Sequence, residues 1–220
     1  MNVLVACEES QIVCKEFLKK GHNAFSCDII APSGDRPDRH ILSDVMEILN
    51  TPTGFCTMDG KYHFITKWDL IIAHPPCTYL CRSGCKHYNV EIYGDKAIER
   101  QKKREDAINF FLKIADANCE KICIENPMGI MSTVYKKPTH YIQPYEFGHP
   151  CKKKTGLWLK NLTPLKSTNI VTPQTHTTKS GKVWDIWFWK SSLISDKNER
   201  AKFRSKTFKG LAEAMANQWG

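Results

Sequence analysis

Three short apolar runs in this chain stop abruptly at residues suited to turning or to chemistry. VLVAC (Val3–Cys7) runs into Glu8-Glu9, DLIIAH (Asp69–His74) into Pro75-Pro76-Cys77, and KICIE (Lys121–Glu125) into Asn126-Pro127. Short runs that are apolar without strict alternation read as strands covered on both faces. Between them Ser10 is placed to cap a helix through Lys20, with Ile12, Phe17 and Leu18 as its apolar residues and Gly21 at its end. Ala24–Ile30 reads as a second strand with Asp28 near its end, followed by the Pro/Gly loop APSGDRPDRH. Ser43 or Asp44 can cap a short VMEIL helix, and within Thr51–Lys67 turn signals around FCTMDGKYHF suit a hairpin. Ala97–Ala117 reads as a long helix with Ile108, Phe111, Leu112 and Ala115 on one face. Thr155–Leu159 and the aromatic run Trp184–Trp189 (WDIWFW) read as strands, and Phe208–Trp219 as a closing helix. Strands that alternate with helices across long connections imply an α/β sheet, mainly parallel, with helices on both faces. Ligands of such sheets bind beyond the carboxyl ends of the strands. The three run ends are therefore the places to look for a site.

A chain of 220 residues supports one domain with a small appendage. No apolar run approaches the roughly 18 residues of a membrane span. MNVLVACEES lacks the pattern of a secretory signal, so ten cysteines point to free thiols in a reducing, cytoplasmic setting. Cys14, Cys27, Cys119 and Cys123 sit in apolar runs and read as core. The net charge of +9 is unevenly placed: Cys151–Gly210 carries 14 Lys+Arg against three acidic residues, and the rest of the chain is slightly acidic. That split suggests a polyanion partner, although a solvated lysine-rich face has the same composition.

Two prolines after a strand remove backbone donors and stiffen the turn, which presents Cys77 from a rigid loop. Rigidity suits a nucleophile, and it equally suits a plain structural loop. A carboxyl at the end of a neighbouring strand, Glu125, would lie at the same sheet edge. Cys77, Cys81, Cys85 and His87 do not form the two short ligand pairs usual for structural zinc, so no metal is expected and Cys81 and Cys85 read as loop or core thiols. WDIWFW reads as core or as a base-stacking surface beside the lysines.

Taken in order, these segments resemble the 5-methylcytosine-forming DNA methyltransferases, in particular their short phage-type homologues. VLVACEESQIV stands where the cofactor loop stands, SCDI and SDV resemble the acidic motifs, HPPCTYL the Pro-Pro-Cys motif and IENP the Glu-Asn motif. FGHPCKKKTGLWLKNLTPL and SKTFKGLAEAMANQWG resemble the closing stretches of the short homologues. The resemblance implies a class I S-adenosylmethionine-dependent methyltransferase fold, a Rossmann-like sheet. It implies S-adenosylmethionine as donor and methyl transfer to carbon 5 of cytosine through a covalent Cys77 adduct, with Glu125 at ring nitrogen 3 and the exocyclic amine. It also implies a base flipped out of the DNA. Asp28 and Ile29 would meet the ribose, Asp44 and Val45 the adenine, and Pro76 the methionine end. Cys7, Glu8, Ser10 and Gln11 form the cofactor loop, although CEESQ holds no glycine. Lys152, Lys153, Lys154, Thr155, Lys179 and Lys182 would contact DNA.

On this reading residues 1–165 are the catalytic and cofactor-binding core, 166–200 a short basic and aromatic target-recognition segment, and 201–220 a helix returning to the core. So short a segment leaves discrimination to a recognition partner or a second copy of the chain. Protection of a phage genome from restriction would be a role in keeping with the resemblance. Two alternatives stay open: the same chemistry on RNA or a pyrimidine nucleotide, and a non-catalytic nucleic-acid-binding module on this scaffold.

Overall fold

The computed structural model describes residues 1–50 and 54–220. In chain order its elements begin with β1 (Asn2–Ala6), α1 (Ile12–Lys19), β2 (Asn23–Asp28), β3 (His40–Leu42) and α2 (Val45–Ile48). Then come β4 (Gly54–Cys56), β5 (Tyr62–Phe64), β6 (Leu70–Ala73), α3 (Val90–Tyr93), α4 (Asp95–Ala115), β7 (Lys121–Pro127) and α5 (Met131–Val134). The chain closes with β8 (His140–Ile142), β9 (Thr155–Lys160), β10 (Thr175–Thr177), β11 (Val183–Asp185), α6 (Ile186–Ser192), α7 (Lys197–Ser205) and α8 (Lys209–Trp219). The expected hairpin exists as β4–β5, paired antiparallel; Thr51–Thr53, which open the expected segment, lie outside the described residues.

Seven strands form one sheet in the order β3-β2-β1-β6-β7-β9-β8. The first five run parallel, and β9 lies antiparallel to both β7 and β8. This is the mainly parallel, Rossmann-like α/β sheet that the motif order implied. The chain lays down β1, β2 and β3 in one direction and then returns to add β6 and β7 on the other side of β1. The strand order thus reverses between β1 and β6, and a crevice opens there at the carboxyl ends.

The central strands are apolar throughout because both faces are covered. Leu4, Ala6, Ile71, Ala73, Ile122 and Ile124 join Phe111 and Ile114 of α4 and Val45 and Ile48 of α2 in one buried cluster. Val3, Val5, Leu70, Ile72 and Cys123 point the other way, onto Val13 and Phe17 of α1 and Leu211, Met215 and Trp219 of α8. Helix α8 thus packs beside the first helix, and the Trp219 indole N–H ties it to the segment after β9 by donating to Thr163 O at 2.9 Å.

Two sequence expectations are corrected. Trp184–Trp189 is not a strand: pairing ends at Asp185, and Ile186–Ser192 is helical. The Asp185 carboxylate accepts from Trp187 N at 2.9 Å and so starts a helix, and burial of Trp187 against Phe188 and Phe203 outweighs the β-propensity of the aromatic run. Ser10 does not cap α1 either. Gln11 occupies the cap position with φ 57° and makes no capping bond from its side chain. Glu8 takes that role, accepting from Val13 N at 2.6 Å and Cys14 N at 3.1 Å. A carboxylate suits the positive end of a helix.

Phe111 is fully buried, with its ring edge-on to Trp158 at 5.2 Å and to Tyr135 at 5.9 Å. Phe111→Ala is expected to cost about 3–5 kcal/mol of stability, read as a lowered urea midpoint with an unchanged slope.

Candidate active site

The loop after β1 makes its turn without glycine. Cys7 and Gln11 both hold left-handed φ values, 59° and 57°. Side chains rarely adopt this region unless surrounding bonds enforce it. Those bonds are present. Glu8 N–H donates to Cys27 O at 3.2 Å, which ties the loop to β2. Gln11 is fully buried; it donates to Ser26 Oγ at 3.1 Å and Arg36 O at 2.8 Å and accepts from Arg36 N at 3.1 Å. Glu9 accepts from Ser33 N at 3.1 Å, while its other oxygen, Oε1, is buried without a partner.

A cavity of about 870 Å³ opens at the strand-order reversal. One end is walled by Cys7, Glu8, Glu9, Ser10, Asp28, Ile29, Asp44 and Val45, the other by His74, Pro76, Cys77 and Thr78. Eight of the nine cofactor positions expected from sequence therefore share one cavity with the expected nucleophile. Gln11 is the exception, because its side chain is spent on holding the loop. Asp28 ends β2, and its carboxyl is pushed up by partial burial, against the N–H groups of Ile30 and Ile29. Asp44 caps α2 by accepting from Met46 N at 2.9 Å.

The Pro-Pro-Cys loop is clasped from two sides. Asn126 donates from its side-chain amide to Pro75 O at 2.8 Å. Beyond it, Arg82 N–H donates to Met128 O at 3.1 Å and Ile130 N–H to Leu80 O at 2.8 Å, with a bridge between Cys81 and Gly129. The chains approach so closely there that a Cβ on Gly129 would fall 1.9 Å from Leu80 O. From α4, Arg100 donates to Thr78 O at 3.2 Å and Arg104 to Tyr79 O at 3.3 Å. Sequence reasoning missed both arginines, whose signal was a basic ridge on an otherwise amphipathic helix.

Cys81 N–H donates to Cys77 O at 2.9 Å, a turn that sets the two thiols side by side, where each can hydrogen-bond the other. Cys77 is pushed up by that bond first, then by burial and by the charges of Cys81 and Glu125, with Lys153 opposing. Cys81 is pulled down, chiefly by the bond from Cys77, with help from Ser83, whose Oγ lies 2.9 Å from its sulfur. Cys81, expected as a loop or core thiol, lies in the same turn as Cys77. Among the described residues no cluster of three or more His, Cys, Asp or Glu is arranged to hold a metal.

Glu125 lies one strand away from the Cys77 loop and is not itself among the cavity-lining residues. His74, which does line the cavity, places Nδ1 3.1 Å from Glu125 Oε2. Burial alone would push Glu125 up; the bond and charge of His74, then Lys153 and Thr155, override it and hold the carboxyl below the ordinary carboxylate range.

None of Lys152, Lys153, Lys154, Thr155, Lys179 or Lys182 lines the cavity. Lys153 donates to Arg204 O at 2.8 Å and lies over the Trp187 ring, Lys154 lies over Tyr141, and Lys152 N–H donates to Asp185 at 2.7 Å. Thr155 is buried. Lys179 and Lys182 sit at the turn of the β10–β11 hairpin. The basic wall of the cavity is instead α7 and the residues after it: Lys197, Arg200, Arg204 and Lys206. This helix has no buried residue and was not foreseen, since KNERAKFRS carries almost no apolar signal.

No protein-family model matches the chain. No curated protein matches it. Among solved structures that match is a provisionally assigned DNA modification methyltransferase encoded within an E. coli prophage, 14% identical, with a TM-score of 0.38. The match covers 72% of this chain and 46% of that one, so the chain spans under half the length of that structure. The fold assignment rests on the strand order and connections above rather than on this likeness.

Burial raises the Glu8 carboxyl from its ordinary 4.5 to about 7, against His74's charge and the two backbone N–H groups. The folded chain therefore holds this proton more tightly than the unfolded chain, and the associated stability, full below about pH 4.5, is lost as pH rises through about 7. Between pH 5 and pH 8 the wild type is expected to lose stability relative to Glu8→Gln, read as a change in the gap between their urea midpoints. A gap that stays constant would show that Glu8 does not titrate in this window.

Proposed function

We propose that this protein transfers a methyl group from S-adenosylmethionine to carbon 5 of cytosine in DNA. The observation that carries the reading is the single cavity joining the Asp28–Asp44 end to Cys77, with Glu125 tethered to its floor through His74. The donor's chemistry suits the residues there. The buried, unpartnered Glu9 Oε1 matches an ammonium group, and the strand-end Asp28 carboxylate can accept from two ribose hydroxyls. The exposed Ile29 and the edge of the otherwise buried Val45 offer apolar contact beside Asp44 for the adenine. When bound, S-adenosylmethionine supplies the methyl carbon that the activated base attacks.

The chain's residues supply the activation. Carbon 5 of cytosine is a weak nucleophile. Addition of the Cys77 sulfur to carbon 6 converts the ring to an enamine whose carbon 5 is nucleophilic. The stiff Pro75-Pro76 turn, clasped by Asn126, Arg100 and Arg104, holds the sulfur in place for that addition. Glu125 accepts from the exocyclic amine and, on taking a proton from solvent as the base binds, donates it to ring nitrogen 3 while the sulfur adds. A solvent water then takes the carbon 5 proton, and the electrons of that bond expel the thiolate and restore aromaticity. The Cys77 thiol is held protonated in the resting site, so its proton leaves as it attacks, and the neighbouring Cys81, pulled down in its titration, can take that proton.

DNA is the substrate this reading favours because the cavity opens beneath a basic helix. Lys197, Arg200, Arg204 and Lys206 make no ion pair with an acidic side chain among the described residues and are free to meet phosphate.

Two experiments test the reading. Asp28→Ala is expected to weaken donor binding by about tenfold or more, from the loss of a charged hydrogen-bond pair, with the fold intact by circular dichroism. Unchanged affinity by calorimetry would remove Asp28 from the donor site. DNA carrying 5-fluorocytosine has no carbon 5 proton to lose, so it should trap a denaturation-resistant adduct only when S-adenosylmethionine is present, mapped by mass spectrometry to Cys77. Cys77→Ser should give no adduct while still binding the donor, and Cys85→Ser should trap as the wild type does. Donor and DNA binding without any adduct would sink the enzymatic reading and leave a binding module. An adduct on another cysteine would reassign the nucleophile.

A further inference from the structure

The cavity floor holds a titratable side chain to which the chemistry above assigns no role of its own. His74 ends the β6 run and lines the cavity with its side chain only 9% exposed. Its backbone N–H donates to Ala6 O at 3.0 Å, fixing it between the ends of β1 and β7. Its Nδ1 lies 3.1 Å from Glu125 Oε2, and its Nε2 is buried with no hydrogen-bond partner. Glu8, itself buried, also interacts with the imidazole's charge. One imidazole thus bonds the Glu125 carboxylate at the end of β7 and feels the charge of a second carboxyl, Glu8, from the loop after β1. An ionised carboxylate can only accept, so the contact with Glu125 places the proton on Nδ1.

We propose that His74 is a positioning residue for Glu125: by donating from Nδ1 to Oε2 it holds the carboxylate in a single orientation toward the target base. This deepens the proposed function and rests on its assignment of Glu125 to the base. Without the bond, Glu125 would keep only Lys153 and Thr155 as supports, from the adjoining antiparallel strand and the segment before it. The negative charge of Glu125 in turn pushes the Cys77 and Cys123 thiols up, which keeps them neutral. Neither can replace the imidazole, because a thiol is a weak donor. The sequence pattern leads to the same residue: an apolar strand that ends on histidine leaves a polar ring at the sheet edge, where an aliphatic residue would pack more simply.

The test uses the full chain with ¹³C-carboxyl-labelled glutamate, the Glu125 resonance being assigned from Glu125→Gln. In the wild type this carboxyl should titrate below the ordinary range. In His74→Leu its midpoint should move up, and in His74→Ala likewise should the leucine variant fail to fold. A Glu125 titration unchanged in a folded variant overturns the proposal, whatever the substrate turns out to be. The second readout is adduct formation on 5-fluorocytosine DNA. His74→Leu should slow it by about ten- to a hundredfold while the donor dissociation constant stays within about twofold. His74→Asn, whose amide can donate from the position of Nδ1, should recover most of that rate. Loss in both variants alike would mean that filling the space, not the hydrogen bond, is what matters, and would overturn it. Should the wild type itself form no adduct, the proposed function fails, while the carboxyl titration still decides the role of His74.

Discussion

The hydrogen bond from the Asn126 side chain to the Pro75 carbonyl is the tie on which the arrangement of the site depends. Consecutive prolines have no N–H to offer a neighbouring strand, so the Pro75-Pro76 turn cannot be held by a sheet ladder. Its carbonyl is met instead by a buried amide from the end of β7. Once that bond is made, the two chains run side by side through Leu80–Ile130 and Arg82–Met128, close enough that Gly129 leaves no room for a side chain. The thiol and the carboxylate, far apart in sequence, thereby become features of one rigid edge.

The opposite wall of the cavity solves a different problem. A turn that brings backbone close to a ligand is commonly made of glycine, at little steric cost. Here Cys7 and Gln11 take left-handed conformations, and buried polar side chains hold the loop in shape. Glu8 binds the N-terminus of α1, Glu9 reaches Ser33, and Gln11 reaches Ser26 and Arg36. The loop is stabilised through many partners, and its rigidity is shared with the segment after β2. One cost is a carboxyl buried at Glu8. Another is the orphaned oxygen of Glu9, which leaves an acceptor in the cavity.

Charge is distributed to match. The acidic side chains Glu9, Asp28 and Asp44 stand on the sheet side, and α7 presents Lys197, Arg200 and Arg204 across the opening. A cationic ligand moiety and a polyanion would therefore meet different walls of one cavity. The helix is bound to the rest of the protein through a few polar contacts, Arg204 with Ser191 and Arg200 with Ile194 O, and buries no residue of its own. By that measure it is among the less firmly held parts of the fold.

Much of this was legible in the sequence. Apolar runs ending in Glu-Glu, Pro-Pro-Cys and Asn-Pro marked the central strands and the side of the sheet where the cavity opens, and Asp28, Asp44, Pro76 and Cys77, singled out through the resemblance, all line that cavity. The runs could do so because strand burial and chain reversal are local, carried by side-chain polarity and missing N–H groups. Other features depended on partners remote in sequence. WDIWFW became a helix because Asp185 captured Trp187 N and the ring of Trp187 found Phe203. Gln11 turned inward because Ser26 and Arg36 were waiting, and Cys81 stopped being a bystander when the turn folded it against Cys77. The His74–Glu125 pair spans 51 residues, and α7 reaches the cavity with no apolar stripe to announce it. Hydrophobic pattern and turn chemistry are written along the chain. Which polar atoms satisfy one another across the crevice is set only when the strands have taken their order, because a hydrogen bond needs its partner within about 3 Å and the sequence carries no such distance.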